Sequence, residues 1–288
     1  MLSAAIQLNA GPDREANLAA GIAAVREAAA AGATLIVLPE KWLSYGDPSA
    51  VETEAEELGG PLTTQLGALA SELGIDLVAG SISERPREGS ADGRLFNTSL
   101  HFRPDGAVGG IYSKVHLFDA DIAGRRYRES DAEQPGHELV VAELATPGFA
   151  LGLSICFDVR FPELYGRLAD LGATVISLPA AFTERTTRDH WGVLVRARAI
   201  EAGAYIIAAN QCGEHPDGSR TGGSSMIVSP WGEVLARASE TTPEIIYADL
   251  DLASVAQARE ALPVRALRRP DVYNRAPAAA PNAAAASD

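Results

Sequence analysis

Phe149-Ala150-Leu151-Gly152-Leu153-Ser154-Ile155-Cys156 is a continuous apolar run of strand length, and Phe157-Asp158-Val159-Arg160-Phe161-Pro162-Glu163-Leu164-Tyr165 follows it directly. Pro162 suits the first turn of a helix, because its fixed φ is helical and its missing N–H would have no partner there. The spacing of apolar residues from Pro162 to Leu171 is helical, and Thr174–Leu178 is apolar throughout. Strand, helix and strand in immediate succession make a βαβ unit, whose strands are buried on both faces and so read as unbroken hydrophobic runs.

The same pattern extends outward in both directions. Ala4–Leu8, Thr34–Leu38, Ile75–Ser81, Tyr205–Asn210, Ser225–Val228 and Ile245–Leu250 are further strand-length apolar runs, and Arg14–Ala31, Leu62–Leu73 and Arg188–Ala202 have helical period. The first of these helices follows Pro12-Asp13 and stops at Gly32, and the second follows Pro61 and stops at Gly74. Leu95–Phe102 and Val108–Ser113 flank the turn sequence Arg103-Pro104-Asp105-Gly106, and Ser225–Val228 and Val234–Ala238 flank Pro230-Trp231-Gly232-Glu233, so two hairpins are expected. The fold class is α/β with added antiparallel pairs. One domain is expected over residues 1–275, and Ala276–Asp288, built of Ala, Pro and Asn without periodicity, reads as a disordered tail at 276–288.

Composition limits the partners. Hydrophobic residues make up 47% and charged residues 22% of the 288, which suits a packed core and not a disordered chain. A net charge of −14 repels phosphate, and only Arg265–Arg269 is locally basic, so neither nucleic acid nor an anionic membrane is expected as a partner. Two cysteines make no disulfide framework, and no apolar run approaches membrane-spanning length, so a cytoplasmic, reducing setting is expected. Of 24 basic residues only Lys41 and Lys114 are lysine. Each is a candidate for work that arginine cannot do, since Lys is a compact, titratable ammonium.

Three polar residues close apolar strands. Cys156 sits where a strand turns into a helix, the edge at which open α/β sheets bind ligands, and a helix N-terminus there favours a thiolate. Glu40 follows Thr34–Leu38 and Pro39, placing a carboxylate at an apolar sheet end as a general base requires. Lys114 ends Val108–Ser113. Singly, each has an ordinary reading: a small buried hydrophobe, a strand-terminating glutamate and a surface lysine. Together they supply a thiol nucleophile, a base and a cation for an oxyanion. His116, His190 and His215 are candidates for a Cys–His dyad that spacing does not choose between, and Cys212-x-x-His215 lacks two further zinc ligands. Arg196, Arg198 and Glu201 stand at helical spacing and read as an ion-pair network.

Leu38-Pro39-Glu40, Ser113-Lys114-Val115-His116-Leu117-Phe118 and Ser154–Leu164 resemble, in order and spacing, the three signatures of the nitrilase superfamily of carbon–nitrogen hydrolases. The likeness continues through Pro179–Thr183, His190-Trp191, Arg196–Glu201, Ala208–Gln211 and Ser229–Gly232 and covers roughly residues 2 to 273. It implies a four-layer α-β-β-α sandwich that forms a homodimer or higher homo-oligomer, uses neither metal nor organic cofactor and cleaves a small amide through a cysteine thioester, releasing ammonia. It assigns Glu40 as base, Lys114 as oxyanion stabiliser, Cys156 as nucleophile and Glu129 as a second glutamate supporting the lysine. In such a cycle Phe157 would lend a backbone N–H and meet substrate, and Arg160, Phe182 and Thr183 are candidates for substrate contact and equally for structural packing.

Phe-Asp-Val-Arg-Phe-Pro-Glu-Leu after Cys156 resembles the amidase branch that includes deaminated-glutathione amidases and ω-amidases, leaning towards the former. ω-Amidase, N-carbamoyl hydrolase and nitrilase activities stay open beside it, as does a non-catalytic interaction protein on the same scaffold. Two departures bear on substrate choice: Thr186-Thr187 where relatives often carry Thr-Gly, and Gly223-Ser224-Ser225 where they carry Gly-His-Ser.

Overall fold

The computed structural model describes residues 1–45, 53, 55–86, 93–122 and 124–273. The first part of the chain gives β1 (Leu2–Gln7), helix α1 (Arg14–Ala30), β2 (Leu35–Val37), helix α2 (Pro61–Leu73), β3 (Asp76–Val78), β4 (Ile82–Glu84), β5 (Phe96–Phe102) and β6 (Val108–Ser113). A small hairpin of β7 (Asp119–Ile122) and β8 (Arg125–Arg128) leads to a 3-10 turn, Glu129–Asp131. There follow β9 (Val141–Glu143), β10 (Ala150–Leu153), helix α3 (Pro162–Asp170), β11 (Val175–Ala180), helix α4 (Gly192–Ala202) and β12 (Tyr205–Asn210). The hairpin β13 (Cys212–Glu214) with β14 (Arg220–Gly222), the pair β15 (Met226–Val228) and β16 (Val234–Arg237), β17 (Glu244–Asp249) and helix α5 (Leu252–Ala261) complete it.

Two sheets result, each with three parallel strands at its heart. In one, β1, β2 and β3 run parallel, β17 flanks β1 antiparallel, and β3 and β4 share one edge of β5 while β6 takes the other. In the other, β10, β11 and β12 run parallel, with β9 antiparallel on one side and β15 and β16 on the other.

Side-chain alternation sorts the first sheet into two faces. Ala5, Leu35, Val37 and Val78 join the core of the second sheet, while Ala4, Ile6, Ile36 and Leu77 pack with Leu62, Leu66 and Leu69 of α2 and Val25 and Ala28 of α1. Helices α3 and α4 cover the far side of the second sheet through Leu164, Leu168, Val195 and Ala199. The layers are therefore α-β-β-α. Both faces of each central strand are dry, which is why their sequences show no polar alternation. Buried glutamines stitch the seam: Gln7 Oε1 accepts from the backbone N–H and hydroxyl of Ser225, and Gln211 Oε1 accepts from Ala10 N–H.

The apolar runs became strands and both expected hairpins formed. The helix expected over Arg188–Ala202 begins later, because Thr187–Trp191 makes one π-type turn before α4. Two elements had no hydrophobic signature. Helix α5 is mostly small residues, and β7–β8 is largely charged and paired along its own backbone. The tail at 276–288 lies outside the described residues. Among the described residues no helix is long and apolar enough to cross a membrane.

Candidate active site

The ends of β2 and β6 from one sheet and of β10 from the other bring three side chains together. Glu40 lies just past β2, Lys114 is the first residue after β6, and Cys156 opens the 3-10 turn Cys156–Arg160 that joins β10 to α3. Cys156 and Lys41 both have left-handed backbone, with φ of 45° and 49°. A non-glycine residue held there costs on the order of 1–3 kcal/mol, tolerated where surrounding structure fixes it. For Cys156 that structure is Asp158. Its buried carboxylate accepts from Ile155 N–H (2.9 Å), Tyr112 hydroxyl (2.7 Å) and His116 N–H (3.1 Å) and lies 2.7 Å from His116 Nδ1. The bend that lifts the thiol out of the strand line is thus pinned to β6 and to the segment after Lys114.

Lys114, 1% exposed, directs its ammonium at two carboxylates. Nζ donates to Glu40 Oε1 at 2.9 Å and to Glu129 Oε1 and Oε2 at 2.9 and 2.8 Å. Glu40, 2% exposed, also accepts from Asn97 Nδ2 on Oε1 (2.9 Å) and from Ala181 N–H on Oε2 (2.8 Å), so both its oxygens are fixed. Glu129 Oε2 also accepts from Phe118 N–H at 2.7 Å. Burial alone would raise Glu129, but Lys114, Lys41 and the hydrogen bonds outweigh it and hold its pKa at about 2. Burial alone would lower Lys114, yet Glu129 and Glu40 keep it firmly an ammonium, well above the usual range.

Cys156 departs from expectation. Burial and the facing Glu40 carboxylate push its thiol well up, and Lys114 and Ala181 N–H only partly oppose them. The neighbouring helix N-terminus does not offset that rise, which favours the protonated thiol. Interaction of the thiol with Glu40 and Lys114 nonetheless places all three within one electrostatic neighbourhood.

The other sequence candidates divide. Arg160 lies with its guanidinium 5.6 Å from the Phe157 ring centre and 5.0 Å from that of Phe182, 3.2 Å from His190 Nδ1, and among the described residues it pairs with no carboxylate. It lines a cleft of about 390 Å³ together with Phe118, Phe157, Thr186 and His190. Thr183 is buried and engaged locally, its hydroxyl accepting from Thr186 N–H and lying 2.8 Å from Thr186 Oγ1. The two departures are structural as well. Thr187 donates to Phe182 O (3.1 Å), and the backbone oxygen of Ser224 accepts from Trp191 Nε1 (2.8 Å). Neither His116 nor His215 approaches a Cys–His dyad: His116 is held by Asp158 and stacks on Phe161, and both ring nitrogens of His215 are engaged, with Thr221 Oγ1 and Ala10 O. Burial raises the Cys212 thiol to about 11, and among the described residues no three His, Cys, Asp or Glu side chains are placed to hold a metal. The expected network on α4 is only half present. Arg198 pairs with Glu201 at 2.6 Å, but Arg196 turns away to the Gly232 carbonyl.

Sequence reasoning missed Asn97, Tyr45 and Glu133. Asn97 belongs to β5, where Asn97, Ser99 and His101 alternate with bulkier residues in a way that suggests a wet face. All three are at most 1% exposed, and Asn97 among them reaches Glu40. Tyr45 is raised by burial, with Glu40 and Cys156 nearby. Lys41 was singled out only as a rare lysine; its ammonium lies 2.6 Å from Glu133 Oε1 and 3.4 Å from Glu129 Oε1.

A carbon–nitrogen hydrolase family model matches residues 2–260. Deaminated glutathione amidase of Homo sapiens is 40% identical over 274 residues, spanning 94% of this chain and 83% of that protein. An ω-amidase of Xenopus tropicalis is 38% identical over 271 residues, spanning 93% and 95%. Among solved structures, a Saccharomyces cerevisiae member of branch 10 of the nitrilase superfamily superposes with a TM-score of 0.81 at 31% identity, over 92% of this chain and 94% of that one. A mutant amidase from Nesterenkonia sp. AN1, with the acetamide moiety of fluoroacetamide added covalently at its active-site cysteine, superposes with a TM-score of 0.73 at 28% identity, over 93% and 97%.

Proposed function

We infer that this chain, which belongs to the carbon–nitrogen hydrolase family and hydrolyses an amide carbon–nitrogen bond, does so with Cys156 as nucleophile, Glu40 as general base and acid, Lys114 as oxyanion stabiliser and Glu129 as the carboxylate that holds Lys114. One observation carries the reading. An ammonium has three N–H donors, and those of Lys114 meet carboxylate oxygens on Glu40 and Glu129 beside a buried thiol.

The cycle follows from where charge moves. As Sγ attacks the amide carbon, the thiol proton passes to Glu40, and the negative charge that Glu40 loses reappears on the carbonyl oxygen. Neutral Glu40 is a weaker acceptor, so one Lys114 N–H becomes free for the oxyanion as that oxyanion forms. The contact is then stronger in the transition state than in the resting enzyme, which is the condition for rate enhancement. Phe157 N–H is the second donor. Glu40 next protonates the nitrogen, the C–N bond breaks, and ammonia leaves a thioester on Cys156. Water gives a proton to Glu40 and attacks the thioester carbon; the C–S bond breaks, the carboxylic acid leaves, and sulfur regains the proton. One carboxylate serves both halves.

The substrate in this reading is deaminated glutathione, following the human relative, with Arg160 reaching a substrate carboxylate at the mouth of the cleft. The similar identity of the Xenopus ω-amidase keeps the ω-amide of a keto acid as the second reading. Residues 1–275 act as one hydrolase domain. The chain works as a homodimer, an arrangement favoured by exposed Val193, Ile200, Trp231 and Leu262, and in the cytoplasm, where Cys156 and Cys212 stay reduced. Ammonia release from deaminated glutathione, α-ketoglutaramate, an N-carbamoyl amino acid and a simple nitrile tests the substrate, with deaminated glutathione expected fastest. Equal release by Cys156→Ala would remove the nucleophile role.

A further inference from the structure

In a chain with arginine at almost every basic position, both lysines converge on one carboxylate. Lys114 approaches Glu129 from the end of β6, and Lys41, the residue after Glu40, approaches the same carboxylate at 3.4 Å. Lys41 then reaches on to Glu133, one turn after Glu129, at 2.6 Å. The side chain of Glu133 is 2% exposed, and its Oε2 has no hydrogen-bond partner among the described residues. The five side chains form a row of alternating sign: Glu40, Lys114, Glu129, Lys41, Glu133. The amidase cycle uses the first three and leaves the last two unexplained. A buried ion pair is weak support for stability, because desolvation offsets the attraction, so fold stability does not account for it.

We propose that Lys41 and Glu133 are positioning residues that lock Glu129 as a carboxylate turned towards Lys114. The proposal rests on the reading of Lys114 as the oxyanion cation. When Glu40 takes a proton, Lys114 keeps only Glu129 as its anchor, and Lys41 prevents that anchor from following the proton or swinging away. Glu133 holds Lys41 in turn, so that this second ammonium stays beside Glu129 and does not compete for Glu40. The direction of the pKa shifts agrees: Lys41 is among the causes that lower Glu129, while burial raises Glu133 and Lys41 only partly opposes it. Beside Glu40 and Lys114, the groups facing Glu129, Lys41 and Glu133 are Cys156 at the bend after β10, Tyr45 on the segment after Lys41 and Arg94 before β5, whose guanidinium donates to the Ser130 and Glu133 carbonyls.

The test compares Lys41→Met/Glu133→Leu, which removes both charges without stranding either, with Glu133→Gln, which leaves the whole Lys41 charge to Glu129. Two readouts are taken against pH: ammonia release from deaminated glutathione, and inactivation of Cys156 by iodoacetamide, itself a carboxamide and independent of the natural acyl group. In the double variant kcat falls on the order of tenfold with KM little changed, and the acid limb of both profiles moves up by about one pH unit, the size of one nearby opposite charge. In Glu133→Gln the limb stays or moves down. Profiles that match wild type in the double variant, or that shift the same way in both variants, overturn the positioning role. Wild-type Cys156 that iodoacetamide modifies no faster than it does in Glu40→Gln would instead overturn the amidase chemistry on which the pair depends.

Discussion

Replacing Lys114 by arginine tests the charge movement inferred for the cycle, because it keeps the cation and changes only its shape. The ammonium is enclosed at 1% exposure with contacts of 2.8 to 2.9 Å to oxygens on two separate carboxylates. A guanidinium is planar, carries its donors in a fixed fork and prefers to pair with one carboxylate through two parallel bonds. In Lys114→Arg it should close on Glu129, lose Glu40 and leave no N–H aimed at the oxyanion. Loss of one oxyanion donor costs about 10²–10³ in kcat, or about 2.7–4 kcal/mol, and that is the expected drop in ammonia release. The fold should survive, since the positive charge stays in the site and Glu40 keeps its donors Asn97 and Ala181 N–H. Lys114→Met gives the contrast: it strands buried carboxylate charge and should lower stability by about 3–5 kcal/mol as well as abolish turnover. Folded Lys114→Arg protein with kcat within about tenfold of wild type would refute the argument that Lys114 follows charge from Glu40 to the substrate.

Glu129 should govern stability in acid. Its folded pKa of about 2 lies below its ordinary value, so its contribution is complete above about pH 4.5 and lost as pH falls towards 2; denaturant midpoints of wild type and Glu129→Gln should converge over that window, and a constant gap would contradict the ion-pair origin of the shift. Arg160→Gln should raise KM for a carboxylate-bearing amide by about 10–100-fold, the worth of one charged hydrogen bond, while turnover of a simple uncharged amide stays near wild type. Asp158→Asn breaks up a buried acceptor serving Ile155, Tyr112 and His116, so urea unfolding should show a loss of about 2–3 kcal/mol and kcat should fall as the bend at Cys156 loosens.

Elements that bury both faces were legible in the sequence, because nothing but unbroken apolar runs such as Thr174–Leu178 can occupy them. Elements whose stability comes from elsewhere were not: β7–β8 is held by its own ladder, and α5 packs small side chains that leave no stripe. The site divided similarly. Glu40, Lys114 and Cys156 end hydrophobic strands, where a polar residue stands out against its neighbours. Asn97 is hidden by alternation, since a polar residue at every second place of a strand signals solvent unless another sheet covers it. Glu133 lies in a stretch dense with charge, and only the fold distinguishes it and Glu129 from the exposed Asp131. Its partner Lys41 could be noticed by rarity, but not what it touches.

The seam between the sheets has a bearing on biogenesis. Glu40 and Lys114 follow strands of one sheet and Cys156 follows a strand of the other, so the proposed base, cation and nucleophile come together only when the two sheets dock. During synthesis Glu40 and Lys114 emerge before Cys156, and the thiol meets its proposed base only once the sheets have docked. Recovery of turnover on dilution from denaturant therefore clocks the joining of the two halves, and must trail any signal that reports either half alone.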